Sequence, residues 1–139
     1  MRNISCGVDI IEVKRIAQII RRNNSFLKRV FTPREISYCN HKKFKWEHFA
    51  VRFAAKEAVW KALGQKRLRL QDIGVRNTVN GRPEVIIQGT YRNLARHVDI
   101  SLSHTSQYAI AMAVYNKGRH SAFARKGWAR AQREKYHER

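Results

Sequence analysis

Acidic side chains are scarce in this 139-residue chain: ten Asp and Glu stand against 29 Lys and Arg, for a net charge of +19. That imbalance predicts polyanionic partners, whether nucleic acid, an acidic protein face or a phosphate-rich ligand. Cysteine is nearly missing too. Cys6 and Cys39 alone exclude a disulfide framework and a zinc spacing, and fit two inert packing thiols in a reducing cytosol. No apolar run approaches a membrane span, and Asp9 and Glu12 interrupt the N-terminus where a signal peptide would need apolar residues. A cytoplasmic protein with no membrane partner is expected. There is also no internal repeat, Walker loop, Rossmann glycine pattern or Cys/His metal cluster. What remains, 43% hydrophobic residues with three Trp, suits one folded domain with its own core.

The chain is organised around Glu47–Gly64, a stretch of high helix propensity without Pro and with a Gly placed to cap its end. Phe49, Phe53 and Trp60 fall on one side and Val51, Ala55, Ala58 and Ala62 on much of the other, so a central buried helix is expected. Its mid-helix charges form two stripes, Arg52 with Lys56 and Glu57 with Lys61. The second pair is spaced i,i+4, which reads either as an ordinary helical salt bridge or as a half-buried acid and base awaiting a charged ligand.

Before this helix, Ile4, Cys6, Val8 and Ile10 alternate with Ser5, Gly7 and Asp9. That pattern predicts a strand whose apolar set is its buried face, with Asp9 near its end on the other face. A helix follows from Glu12 to Arg22, Val13, Ile16, Ala17, Ile19 and Ile20 inside and Lys14, Arg15, Gln18, Arg21 and Arg22 outside. The outer face has no acid among its bases, which favours an acidic docking partner. Thr32-Pro33-Arg34-Glu35 carries a helix-start signature. Beyond the central helix, 73–79 and 84–88 read as a hairpin across Asn80-Gly81 in a type I′ turn, 91–97 as a short helix, and 100–104 with 108–115 as a second hairpin. Both faces of the last strand are apolar, placing it inside its sheet. Residues 116–139 form a basic tail appended to a 1–115 domain.

Three blocks then line up: Gly7-Val8-Asp9-Ile10-Ile11-Glu12-Val13; Arg52-Phe53-Ala54-Ala55-Lys56-Glu57-Ala58 through Lys61-Ala62-Leu63-Gly64; and Ser101-Leu102-Ser103-His104 before Tyr108-Ala109-Ile110-Ala111. In this order and spacing the chain closely resembles the holo-acyl-carrier-protein synthases, bacterial 4′-phosphopantetheinyl transferases. The resemblance implies an α+β fold with an antiparallel sheet packed on the long helix. It implies transfer of the phosphopantetheine arm of coenzyme A to a serine of an acyl carrier protein, in fatty-acid or polyketide metabolism. By the same resemblance Asp9 and Glu57 bind Mg²⁺, Glu57 takes the serine proton directly or through a bound water, and Lys61 neutralises developing charge. Arg52, Lys61, His104 and Pro83 would contact coenzyme A, and Lys14, Arg15, Gln18, Arg21 and Arg22 the carrier protein, within a homotrimer that shares its active sites. The run Gln65-Lys66-Arg67-Leu68-Arg69 departs from the glycines usual after Gly64. Two other classes compete: a small basic nucleic-acid-binding module, which leaves Asp9 and Glu57 without a purpose, and an inactive transferase-like scaffold. Nucleic acid is not required by the leading reading.

Overall fold

The computed structural model describes residues 3–118; apart from its first three residues, the basic tail lies outside them. Strand β1 (Ile4–Glu12) leads into α1 (Val13–Arg22), α2 (Asn24–Val30), α3 (Pro33–Asn40) and the long α4 (Lys45–Leu63). A hairpin of β2 (Ile73–Asn77) and β3 (Pro83–Ile87), a 3₁₀ segment at Gly89–His97, and a hairpin of β4 (Val98–His104) and β5 (Tyr108–Asn116) complete it. The second hairpin joins β1 in an antiparallel sheet of order β1-β5-β4, so β5 is interior as its sequence suggests, while β2 and β3 pair separately.

Helix α4 is the axis of the core. Ala54, Ala55, Ala58, Val59, Ala62 and Leu63 pack with Ile73, Val75, Val85 and Ile87 of the first hairpin and with Ala111 and Ala113 of β5. Phe49, Ala50 and Val51 pack on Val13, Ile16, Phe31 and Cys39 from the helical layer. Gly64 ends α4 in the left-handed region at φ 63°, which a side chain would penalise. Beyond it, the Trp60 indole donates to the Leu68 carbonyl at 2.9 Å, and buried Leu68 anchors the atypical basic run.

Several expectations change. The apolar set of β1 faces outward: Ile4, Val8 and Ile10 are exposed, and Ser5, Gly7 and Asp9 turn toward α4. The cause is close approach of the helix, since a Cβ on Gly7 would lie 1.9 Å from the Ala58 carbonyl oxygen. Small residues are what this face needs, and Ser5 donates to the Ala62 carbonyl at 2.5 Å. Cys6 is consequently exposed, whereas Cys39 is buried and its thiol is pushed up to about 12, chiefly by that burial. The β2–β3 turn is not type I′. Only Gly81 has positive φ, 76°, with Gly81 N–H donating to the Thr78 carbonyl at 2.8 Å, so a wider loop of 78–82 joins strands shorter than expected. Pro83 opens β3, where its missing N–H is tolerated. Helix α2 was not foreseen; Asn23 caps it by accepting from Ser25 and Phe26 N–H.

Candidate active site

Asp9 reaches the site from β1 and Glu57 from α4, and both line one cleft of about 410 Å³. The strand–helix contact that Gly7 permits brings them together. Lys61, one turn beyond Glu57, donates to the Asp9 carboxylate at 3.2 Å and to the Val8 carbonyl at 3.0 Å. It therefore bridges helix and strand rather than pairing along the helix with Glu57. Burial pushes the Glu57 carboxyl above its ordinary value, the Asp9 charge adds to the rise, and Lys61 offsets part of it. Ile19, Phe26 and Phe53 supply an apolar wall, Phe26 and Phe53 lying 5.9 Å apart between ring centroids. Arg15 sits at the same cleft, and Lys14, Gln18, Arg21 and Arg22 continue its exposed basic face along α1.

The other expected residues lie elsewhere on the chain. On α4, Arg52 and Glu57 are separated by roughly 7.5 Å of axis and about 140° of rotation. Arg52 is buried, its guanidinium 4.1 Å from the Tyr38 ring centroid, at a larger cleft of about 460 Å³ between α3 and the first hairpin. His104 ends β4 with Nδ1 3.2 Å from a Glu47 carboxylate oxygen. Pro83 lines a small crevice against Val98 and Ile100. Within one chain, then, Asp9, Glu57, Lys61 and Arg15 converge, whereas Arg52, His104 and Pro83 do not join them. The larger cleft is lined by Glu35 and Asp72, each already held by an ion pair, to Lys56 and to Arg69; the smaller one holds Glu57, whose charge is opposed by burial and by Asp9, so chemistry rather than size picks it out.

Sequence reasoning passed over the apolar wall, although Phe53 sits one turn before Glu57 on the helix and was visible in that sense. It read Glu35 only as part of a helix start. That carboxylate closes the capping box of α3 by accepting from Thr32 N–H at 2.9 Å, and pairs with fully buried Lys56 at 2.8 Å. It accepts from Val75 N–H at 3.0 Å as well. Lys56 further donates to the Leu70 and Ile73 carbonyls. Only the helix-start role of Glu35 had a local signature.

Among the described residues no group of three or more His, Cys, Asp or Glu is arranged to hold a metal. Three carboxylates line the cleft, Asp9, Glu12 and Glu57, yet no three of them form such a group, so a hard divalent ion held there would need phosphate or water oxygens as well.

Residues 5–113 match the family model of the 4′-phosphopantetheinyl transferase superfamily. The chain is 41% identical over 131 residues to a holo-[acyl-carrier-protein] synthase of Moorella thermoacetica, covering 89% of this chain and 99% of that one. It is 42% identical over 120 residues to the namesake of Geotalea daltonii, covering 80% and 96%. A Bacillus anthracis holo-(acyl-carrier-protein) synthase solved with CoA (3′,5′-ADP) superposes with a TM-score of 0.69 at 34% identity, over 82% of this chain and 96% of that one. The Helicobacter pylori enzyme in complex with coenzyme A gives 0.69 at 31% identity, over 80% and 99%.

Proposed function

Because the chain belongs to the 4′-phosphopantetheinyl transferase superfamily, we propose that its Asp9–Glu57 cleft moves the phosphopantetheine arm of coenzyme A onto a serine hydroxyl of an acyl carrier protein, releasing adenosine 3′,5′-bisphosphate. The observation that carries this reading is the convergence of Asp9, Glu57 and Lys61 from β1 and α4 on one partly apolar cleft.

Asp9 and Glu57 are the residues that would hold Mg²⁺. When bound, the ion supplies charge neutralisation on the diphosphate and keeps the reacting phosphoryl group in line. Glu57 stands where burial makes it a stronger base than a solvated carboxylate, suited to accept the serine proton. Lys61, 46% exposed at its side chain, is free to swing from Asp9 to a phosphate and offset charge on the leaving group. The wall of Ile19, Phe26 and Phe53 limits the water that could compete with serine. On α1, Lys14, Arg15, Gln18, Arg21 and Arg22 offer the acidic carrier a basic track that ends at the cleft.

We read the coenzyme A contacts from Arg52, His104 and Pro83 as supplied by a second subunit, since Arg52 and Pro83 line other clefts than Asp9 and Glu57 and His104 pairs with Glu47. A homotrimer with shared sites fits that reading, and the outward apolar face of β1 and β5 supports an assembly of copies.

Incubating the chain with coenzyme A, Mg²⁺ and an apo carrier protein should add the phosphopantetheine mass to the carrier. Asp9→Asn and Glu57→Gln should each cut the rate about 100-fold or more while the fold persists by circular dichroism. Full activity in either variant would reject the metal assignment. No transfer by the wild type, with salt-dependent RNA binding in its place, would favour the basic binding module.

A further inference from the structure

A second group of cations gathers around Tyr38 of α3. The Arg52 guanidinium lies 4.1 Å and the Lys42 ammonium 4.7 Å from its ring centroid. The half-buried His48 ring meets Tyr38 edge-on at 5.9 Å. From the end of β4, His104 brings its ring within 5.7 Å of His48. Glu47 is the carboxylate that faces them, and it is engaged with His104. Buried Arg52 leaves its Nε without a hydrogen-bond partner. His48 also occupies the first turn of α4, where the helix end favours an anion and penalises a cation. Taken together, four cationic or protonatable groups and one orphaned donor form a cluster short of negative charge.

With Arg52 and His104 already read as coenzyme A contacts, we propose that His48, packed on the same Tyr38 and beside His104, is the member of this cluster that gains a proton when a phosphate of coenzyme A binds there. The proposal rests on the transferase reading, which supplies the ligand, and adds a residue that reading does not use. Arg52 and His104 give the phosphate fixed hydrogen-bond donors. His48 lies i−4 from Arg52, on the same side of α4.

Without ligand, burial lowers the His48 pKa from its ordinary value, and His104, Arg52 and Lys42 lower it further, with Glu47 opposing. The groups facing His48 are thus Glu47 and Arg52 on its own helix, Tyr38 and Lys42 from α3 and the turn after it, and His104 from β4. A bound phosphate reverses the balance and draws a proton onto the imidazole. The bound pKa then exceeds the free one. The benefit to binding is full below the free value and is lost as pH rises through the bound value, so coenzyme A affinity falls with rising pH.

Calorimetric titration with coenzyme A between pH 6 and pH 8, in two buffers of different ionisation enthalpy, tests this. Wild type should take up protons and lose about tenfold in affinity for each unit that binding adds to the imidazole pKa. His48→Phe, which keeps the ring packed on Tyr38, should show less proton uptake and a flatter profile, with the gap to wild type narrowing toward pH 8. Dephospho-coenzyme A identifies the phosphate: loss of the His48 effect assigns the terminal monoester, and its persistence assigns the diphosphate. Equal proton uptake and equal pH slopes in wild type and variant would overturn the proposal. So would an NMR titration in which saturating 3′,5′-ADP and coenzyme A both fail to raise the His48 pKa. A wild type that neither binds coenzyme A nor modifies carrier protein sinks the transferase reading itself, a different result from an active enzyme indifferent to His48.

Discussion

Two carboxylates, buried Glu35 and half-buried Glu57, have opposite consequences. Glu35 is matched on every side, by Lys56, by Val75 N–H and by its own cap contact, so it ties α3, α4 and β2 together. Lys56→Met would leave that charge buried without its counter-ion, a loss of about 3–5 kcal/mol. A lower midpoint in urea unfolding should report it, and pairing the change with Glu35→Gln should restore part of the loss. An undiminished midpoint in Lys56→Met would show the pair to be dispensable. Glu57, by contrast, is held against its preference by burial and by Asp9. Glu57→Gln removes a charge that the fold resists, and should combine near-complete loss of transfer with a melting temperature equal to or above wild type. The sign follows from linkage: a carboxyl whose folded pKa is raised weakens the native state as pH climbs from its unfolded pKa through its folded one. The variant's advantage should therefore be present at neutral pH and vanish in acid, below both values.

Between elements, the decisive contact is β1 on α4, and Gly7 makes it possible. Gly7→Ala would place a methyl group against the Ala58 carbonyl, forcing strand and helix apart at a cost of at least about 1–3 kcal/mol. Because Asp9 and Glu57 face each other only through that contact, transfer should drop more steeply than stability; a stable and fully active variant would contradict this. Along α1, neutralising Arg15, Arg21 and Arg22 together should raise KM for carrier protein more than for coenzyme A, with the difference shrinking in high salt. How much of this was legible in the sequence differs by element. Helix α4, its Gly64 cap and the Thr32–Glu35 capping box are local events, and each appears where residue type and spacing put it. Period-two alternation in β1 fixed the strand but not which face turns inward. The inward choice belongs to Ala58 and Ala62, residues distant in sequence, and strand hydrophobicity alone points the wrong way. The same holds at the site: Asp9 and Glu57 were nameable by resemblance, while the role of Lys61 as a bridge to Asp9 depends on how two elements pack. The His48–Tyr38–His104 cluster draws on three elements and has no linear signature at all.

At the scale of the whole molecule, the sheet's outward face is the feature a lone subunit does not explain. Ile4, Val8 and Ile10 of β1 and Tyr108, Ile110 and Met112 of β5 are all at least 41% exposed, and register sets Val8 opposite Met112 and Ile10 opposite Ile110. A contiguous apolar strip on a protein otherwise so rich in charge is poorly solvated unless a partner covers it. The same strand that carries this strip carries Asp9 on its reverse, so an assembly through the sheet would bring a neighbour close to the cleft edge, where Ile10 and Tyr108 lie. Val8→Arg with Met112→Arg places two charges at the centre of the strip without touching Asp9, Glu57 or Lys61. Sedimentation should then show the wild type as a multimer and the double variant as a monomer, with the fold retained by circular dichroism. If Arg52 and His104 act from a neighbouring chain, the monomer should also lose coenzyme A binding and transfer together. A monomer with wild-type transfer would place the complete site within one subunit and rule out sharing. A variant that stays multimeric would move the interface to another face.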